Sequence, residues 1–411
     1  MRKIYTSIDI GTEEIKAVTV EEYNDKLNVL ATACVKSRGV KKGLIVDAAL
    51  ITAAIKKVIK QLESKLGTKI EQVLAVVPSN NIDINITIGE VNVTTENHLI
   101  NGETIFACLQ KSLKNNVPAN MEVVSVLPIE YKIDKSKKVK NPLGLEGKHL
   151  ASKSVVVSVP SKNVYSVVGI LENIGLEVVD VTISSIADYF SVKDNEMDST
   201  TLSVVDIGKE KTVISIFNKG IIIKEKIINL GSSDIEDTIG FNFKTSEEES
   251  KRIKEEYGIA NRKYAQSDET YEITNRIGQK AIINQYILAE MIEYKLVEML
   301  KSIKNEINNL TNREISYIII TGGLGQMLGF NALVEDIYGH KGRVFSTNII
   351  GIRDGKYSTA FGMIKCFISK LELREKEYTM MADDKVEELL RTRKKMGNGS
   401  ALGKIFGKIF D

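Results

Sequence analysis

Three glycine-bearing turns carry the residue types that grip phosphate: Asp9-Ile-Gly11-Thr12, Asp206-Ile-Gly208 with Thr212 beyond it, and Thr321-Gly322-Gly323-Leu-Gly325. Each stands at the end of an apolar run. Glycine lets backbone N–H groups approach phosphate oxygens, and the hydroxyls of Thr12 and Thr212 add hydrogen bonds. Asp9 and Asp206 are placed to face a magnesium ion carried by those phosphates, through water, because magnesium keeps much of its hydration shell. One such turn alone is more often a plain hairpin. Three in this order and spacing point to a built phosphate site.

The elements that must position these turns follow from the apolar periodicity. Ile4–Asp9 and Ile15–Val20 read as a hairpin and Leu27–Val35 as a third strand. Asp47 to Leu66 has helical spacing, with Asp47 as N-cap and Gly67 as stop. Gln72–Val77 is a buried strand. Short strands at 82–88, 89–93, 122–126 and 129–133 surround a helix over 101–115, which reads as a small α+β insertion. Val155–Val159 is expected to resume the core sheet, followed by a helix over 162–174, a strand over 177–181 and a helix over 184–192.

The second half then restarts the first. Thr201-Leu-Ser-Val-Val-Asp206-Ile-Gly208 matches Tyr5-Thr-Ser-Ile-Asp9-Ile-Gly11, and both lead into a second apolar strand. An internal repeat of this kind predicts two duplicated domains facing each other. Helices are expected at 232–241, 246–257, 276–310 and 327–338, with Tyr317–Thr321 as the strand feeding the third turn.

Composition narrows the class. The 411 residues suffice for two or more domains, and 43% hydrophobic with 27% charged residues is ordinary for a globular chain. A net charge of +2 gives no drive toward nucleic acid, and no nucleic-acid-binding module is recognisable. Cys34, Cys108 and Cys366 are scattered, which fits a reducing compartment and argues against a disulfide frame or zinc site. The three histidines are dispersed. Arg2-Lys3 leads into a strand-like run rather than a signal peptide, so the body is expected in the cytoplasm.

The C-terminal end has a different character. In a helix, Leu402, Ile405, Phe406, Ile409 and Phe410 form one apolar stripe, with Lys404 and Lys408 on the opposite face. That length is too short to span a bilayer and suits lying among headgroups, lysines toward anionic lipid. A basic, glycine-bearing stretch precedes it and reads as a tether. Docking of this helix on its own domain is the other reading.

Taken together, these motifs resemble the actin, Hsp70 and sugar-kinase superfamily, and more closely the FtsA family of bacterial cell-division proteins along essentially the whole chain. The residues that carry the resemblance are Ser7-Ile-Asp-Ile-Gly-Thr12, Gly39-Val-Lys-Lys-Gly-Leu-Ile-Val-Asp47, Val126-Leu-Pro-Ile-Glu-Tyr131, Asn141-Pro-Leu-Gly-Leu-Glu-Gly147, Thr245-Ser-Glu-Glu-Glu-Ser-Lys-Arg-Ile-Lys254 and Ile320-Thr-Gly-Gly323. The resemblance implies an α/β, actin-like fold of duplicated ribonuclease-H-like domains. The first would comprise residues 1–80, 153–199 and about 355–370, with a small α+β insertion at 81–152. The second would comprise 200–243 and 314–354, with a helical α/β insertion at 244–313. A flexible linker over 371–398 and the amphipathic helix over 399–411 would complete the chain.

The resemblance also implies function. Members bind ATP, polymerise head to tail, and anchor FtsZ to the inner face of the cell membrane at the division site. ATP and Mg2+ are thus the expected cofactors. FtsZ through its C-terminal peptide, anionic lipid and further copies of the chain are the expected partners. Carried over by position, Lys16 stands behind the first turn and Lys254 packs against the nucleoside; a solvated helix lysine is the other reading of Lys254. The basic residues Arg276, Lys280, Lys295, Lys301 and Lys304 are candidates to meet acidic groups of the FtsZ peptide.

The second turn departs from the family pattern, where two more glycines follow Gly208. Here Lys209, Glu210 and Lys211 follow instead, which crowds the backbone approach to phosphate. Glu210 brings a negative charge unless it points away, and Lys209 or Lys211 is the candidate to compensate as a point charge. The third turn has Leu324 where the family commonly has glycine. No catalytic residue is identified; Asp9, Asp47 and Asp206 are candidates, and at most weak ATP hydrolysis is expected. Two alternatives stand beside this reading. A sugar or acid kinase would need an aspartate base beside a substrate pocket, and no such motif is seen. An FtsA-like or pilus-adaptor-like scaffold with a vestigial nucleotide site is the other.

Overall fold

The computed structural model describes residues 2–113, 116–353, 355–382 and 385–386. The chain opens with an antiparallel meander of β1 (Lys3–Ile10), β2 (Glu14–Tyr23) and β3 (Lys26–Lys36). A short hairpin, β4 (Val40–Lys41) and β5 (Leu44–Ile45), leads to α1 (Ala48–Leu66). Asp47 caps α1 by accepting N–H bonds from Ala49 and Leu50, both at 3.0 Å. β6 (Gln72–Val77) then pairs parallel with β1.

The insertion follows as β7 (Asp83–Asn92), α2 (Gly102–Leu113), β8 (Met121–Ile133), β9 (Lys137–Val139) and β10 (His149–Pro160), its sheet ordered β7-β10-β8-β9. Three expectations are corrected here. The strands expected at 82–88 and 89–93 are one strand, β7, and those at 122–126 and 129–133 are one strand, β8. Pro128 survives inside β8 because β9 covers only Tyr131 to Ile133, so the proline faces an unpaired edge. Val155–Val159 lies in β10, the strand between β7 and β8, and not in the sheet of β1. Its Val155, Val157 and Val159 still bury into the main core.

α3 (Ser161–Asn173), β11 (Glu177–Ile183) and α4 (Ser184–Val192) complete a first sheet ordered β11-β6-β1-β2-β3. The second half begins with the meander β12 (Thr201–Ile207), β13 (Thr212–Asn218) and β14 (Ile221–Ile228), then α5 (Ser233–Phe243) and α6 (Glu247–Tyr257). A hairpin, β15 (Thr270–Thr274) with β16 (Lys280–Asn284), precedes α7 (Gln285–Leu310); β17 (Tyr317–Thr321), α8 (Phe330–Tyr338) and β18 (Gly342–Val344) follow. This sheet runs β14-β13-β12-β17-β18, strand for strand the order of the first. Each is an antiparallel meander extended by two parallel strands, so the repeat seen in the motifs extends to the whole sheet.

The helix expected over 276–310 starts only at Gln285. Asn275 explains the difference: its side chain accepts from the backbone N–H of Ile277 at 3.1 Å and Gln279 at 2.9 Å, folding a turn. The apolar residues that mimic helical spacing alternate instead, with Ile283 buried and Ile282 exposed. α8 likewise starts at Phe330 rather than Met327.

α9 (Ser358–Leu373) returns to pack on α4 and β1. Beyond it, the stretch expected as a linker from 371 docks at the start of β1. Ile4 N–H donates to Thr379 Oγ1 at 3.0 Å, Met380 N–H donates to Ile4 O at 2.9 Å, and Met381 is buried. Residues 399–411, with the membrane candidates Leu402, Lys404, Ile405, Phe406, Lys408, Ile409 and Phe410, lie outside the described residues. No helix among the described residues is long and apolar enough to cross a membrane.

The lobes share one core at their base. Leu202, Val204 and Phe217 of the second sheet join Ile8, Ile15 and Val73 of the first in a single buried cluster. Tyr189 of α4 stacks on Phe217 of β13, ring centroids 4.3 Å apart. A shared apolar floor with turns above it leaves a cleft between the sheets.

Candidate functional site

The C-terminal ends of β1, β12 and β17 open into one cavity of about 600 Å³, within the range of about 300–1,000 Å³ common for small-molecule sites. The first lobe lines it with Asp9, Gly11, Thr12 and Lys16. The second contributes Asp206, Gly208, Gly322 and Gly323, with Lys254 and Gly258 from α6 and the turn after it. Leu324, Met327 and Leu328 add an apolar wall beside Gly258.

Local geometry places each group. Antiparallel register sets Asp9 opposite Lys16, and the Lys16 ammonium lies 3.4 Å from Asp9 Oδ2. Parallel register sets Asp206 beside Thr321, so the second and third turns leave adjacent strands together. Gly322 has φ +99°, and a Cβ there would stand 2.4 Å from Ile207 O. Only glycine lets the third turn close on β12.

The charges are strongly coupled. Burial disfavours the Lys16 ammonium, yet Asp9, Glu14 and Asp206 outweigh it and hold its pKa above the ordinary lysine value. Burial, reinforced by Asp9, raises the Asp206 carboxyl. Behind the cavity Asp188 is raised further, by burial and then by Asp206. It accepts hydrogen bonds from Ser358 at 3.0 Å and Thr359 at 2.9 Å, two residues that themselves line the cavity. Burial pushes the Lys211 ammonium down, with Asp206, Glu225 and Asp9 opposing.

Several expected residues do not line the cavity. Thr212 donates its hydroxyl to Leu230 O at 2.6 Å inside the second sheet. Gly325 packs against Val344, and Asp47 is occupied in capping α1. Lys254 does line it and is paired with Glu236. The departing turn reaches across the cleft: Lys209 pairs with Glu13 at 2.7 Å, Glu210 accepts from Lys42 N–H at 2.6 Å, and Lys211 donates to Asn80 Oδ1 at 3.1 Å. Glu210 therefore points away from the cavity.

The partner candidates are dispersed. Lys280 pairs with Glu272 on the β15–β16 hairpin, Lys295 with Glu298, and Arg276 donates to Thr245 O. Lys304 donates to Ile337 O at 2.9 Å, and Lys301 is exposed. Spacing alone misses Glu13, Asp188 and Glu225, which stand near the turns but carry no motif of their own; their signal is proximity in the fold.

The cavity fits a phosphorylated nucleoside. The Gly323 Cα faces open space where a side chain would intrude, lysines enter from both lobes, and an apolar wall stands at the α6 end. Among the described residues, no cluster of three His, Cys, Asp or Glu side chains converges to hold a metal directly.

Duplicated sheets of identical order around such a cleft define an actin-like protein. Solved structures agree: the PilM-PilN type IV pilus biogenesis complex matches at TM-score 0.59 and 15% identity, covering 90% of this chain and 99% of that one. MreB5 of Spiroplasma citri bound to ADP matches at TM-score 0.56 and 12% identity, covering 91% and 99%. Within that class, the family model "Cell division protein FtsA" matches residues 203–362, and "SHS2 domain inserted in FTSA" matches residues 79–158. FtsA of Bacillus subtilis (strain 168) is 28% identical over 392 residues, covering 94% of this chain and 89% of the relative. FtsA of Streptococcus pneumoniae serotype 2 (strain D39 / NCTC 7466) is 27% identical over 357 residues, covering 86% and 78%. The chain belongs to the FtsA family of cell-division proteins.

Proposed function

We propose that this chain is an ATP-binding, polymerising adaptor that tethers FtsZ filaments to the cytoplasmic face of the membrane during bacterial cell division. The observation that carries the nucleotide half is the convergence of the Asp9–Thr12, Asp206–Gly208 and Gly322–Gly323 turns on one cavity. Gly11, Thr12, Lys16 and Gly208 would hold phosphate, Gly322, Gly323 and Lys254 the nucleoside, and Asp9 and Asp206 would face magnesium through water. A bound nucleotide supplies a polyanion that both lobes grip at once. Closing the lobes on it favours the conformation that assembles head to tail.

The match to the inserted SHS2 domain supports this reading over a pilus adaptor of the same fold. Of the basic residues in the second insertion, Lys301 is the best placed for the FtsZ peptide, because it is exposed and, unlike Arg276, Lys280, Lys295 and Lys304, has no hydrogen-bond or ion-pair partner among the described residues. The tail reading rests on composition: five apolar side chains and two lysines bind one anionic surface reversibly, and a filament makes the attachment firm by avidity. Calorimetry with ATP and millimolar magnesium tests the nucleotide half. Saturable one-site binding is expected, and its absence would refute that half.

A further inference from the structure

Lys211 lines the cavity without an ion-paired carboxylate of its own among the described residues. Lys16 has Asp9, Lys209 has Glu13, and Lys254 has Glu236. Among the described residues Lys211 hydrogen-bonds the neutral Asn80 Oδ1, at 3.1 Å, and no carboxylate comes within ion-pair distance of it; Asp206, Glu225 and Asp9 act on it from farther away. Its side chain spans from the second lobe to the first and passes so close to Gly43 that a Cβ there would stand 2.4 Å from Nζ. The first lobe thus keeps a glycine where the ammonium arrives. A part-buried charge with a neutral partner costs free energy until an anion joins it.

We propose that Lys211 is a built-in counter-cation for phosphate, so that the cleft holds a nucleoside di- or triphosphate without needing a divalent cation. The proposal rests on the nucleotide reading above and concerns the one turn where this chain departs from its family. Of the two carboxylates that would otherwise face the metal, Asp9 is matched by Lys16, while Asp206 lies in the fields of Lys16 and of Lys211 itself; Glu13 is matched by Lys209 and Lys251. The charge that magnesium would bring is thus supplied by a side chain, as a point charge. Magnesium is then a minor contributor to affinity.

The test is calorimetry of ADP and of ATP against the full chain, once with millimolar magnesium and once with excess EDTA. The wild-type dissociation constants should agree between the buffers within about threefold. Lys211→Met, which keeps the length of the side chain, should weaken binding in EDTA by about tenfold or more, the loss expected of one charge-assisted hydrogen bond. Magnesium should restore part of that loss. Lys211→Arg should bind in EDTA nearly as wild type does, and it carries the test if the methionine variant fails to fold. Wild-type binding that needs magnesium, or Lys211→Met binding as wild type in EDTA, would overturn the proposal alone. Absence of binding in both buffers would overturn the nucleotide reading and this proposal with it.

Discussion

Glu13, in the turn between β1 and β2, receives the ammonium of Lys209, in the equivalent turn between β12 and β13, at 2.7 Å. The two copies of one duplicated hairpin turn thus meet across the cleft. Lys251 of α6 binds the same carboxylate. Glu13→Gln should therefore loosen the lobes, lowering stability by about 1–2 kcal/mol in denaturant unfolding. In a double-mutant cycle with Lys209→Met the losses should not add, and additive losses would show that the pair is not coupled.

Two carboxyls, the half-buried Glu13 and the fully buried Asp188, should give opposite slopes of stability with pH. Although burial works against it, hydrogen bonds from Lys209 and Lys251 hold the Glu13 carboxyl below its ordinary 4.5. Its stabilisation is present above that value and is lost as pH falls through the folded-state pKa. Asp188 is raised well above 3.8 by burial. The unfolded chain releases that proton first, so this contribution declines as pH rises from 3.8 toward the folded-state pKa. Glu13→Gln should flatten the acid limb and Asp188→Asn the decline above it, as read from denaturation midpoints across pH.

Gly43 and Gly322 both have positive φ and both crowd a neighbour, but the neighbours differ. At Gly43 a Cβ meets the mobile end of Lys211; at Gly322 it meets the backbone carbonyl of Ile207. Gly322→Ala should cost about 1–3 kcal/mol of backbone strain plus the displacement of β12. Gly43→Ala should cost less stability, because Lys211 can swing aside, while weakening nucleotide binding. Equal stability losses would contradict this ordering.

The duplicated sheets were legible because Asp-Ile-Gly follows alternating apolar residues twice, and both copies fold as the same hairpin. The first and third glycine turns were legible as turns because glycines follow an apolar strand at Ile10-Gly11 and at Thr321-Gly322-Gly323, and the structure brings both to one cavity. The β15–β16 hairpin was not, since Ile277, Ile282 and Ile283 mimic helical spacing and the side chain of Asn275 decides for a turn. Thr212 lies off the cavity because its own sheet offers its hydroxyl an acceptor, Leu230 O, which the sequence spacing does not reveal. Asp188 was invisible because its partners Ser358 and Thr359 arrive about 170 residues later, on a helix no local pattern links to it.

Charge reversal should separate the partner candidates. Lys301→Glu should weaken binding of an FtsZ C-terminal peptide several-fold without changing the melting temperature, as fluorescence anisotropy can show. Lys304→Glu should also lower stability, because Lys304 donates to Ile337 O. Unchanged peptide affinity in both would remove them from the interface.

Sedimentation with anionic liposomes bears most directly on the adaptor itself. With ATP and magnesium present, the full chain should carry FtsZ into the liposome pellet. A chain lacking residues 399–411 should remain folded and bind FtsZ in solution, yet leave it in the supernatant. Undiminished pelleting by the shortened chain, or failure of the full chain to bring FtsZ down, would contradict the account.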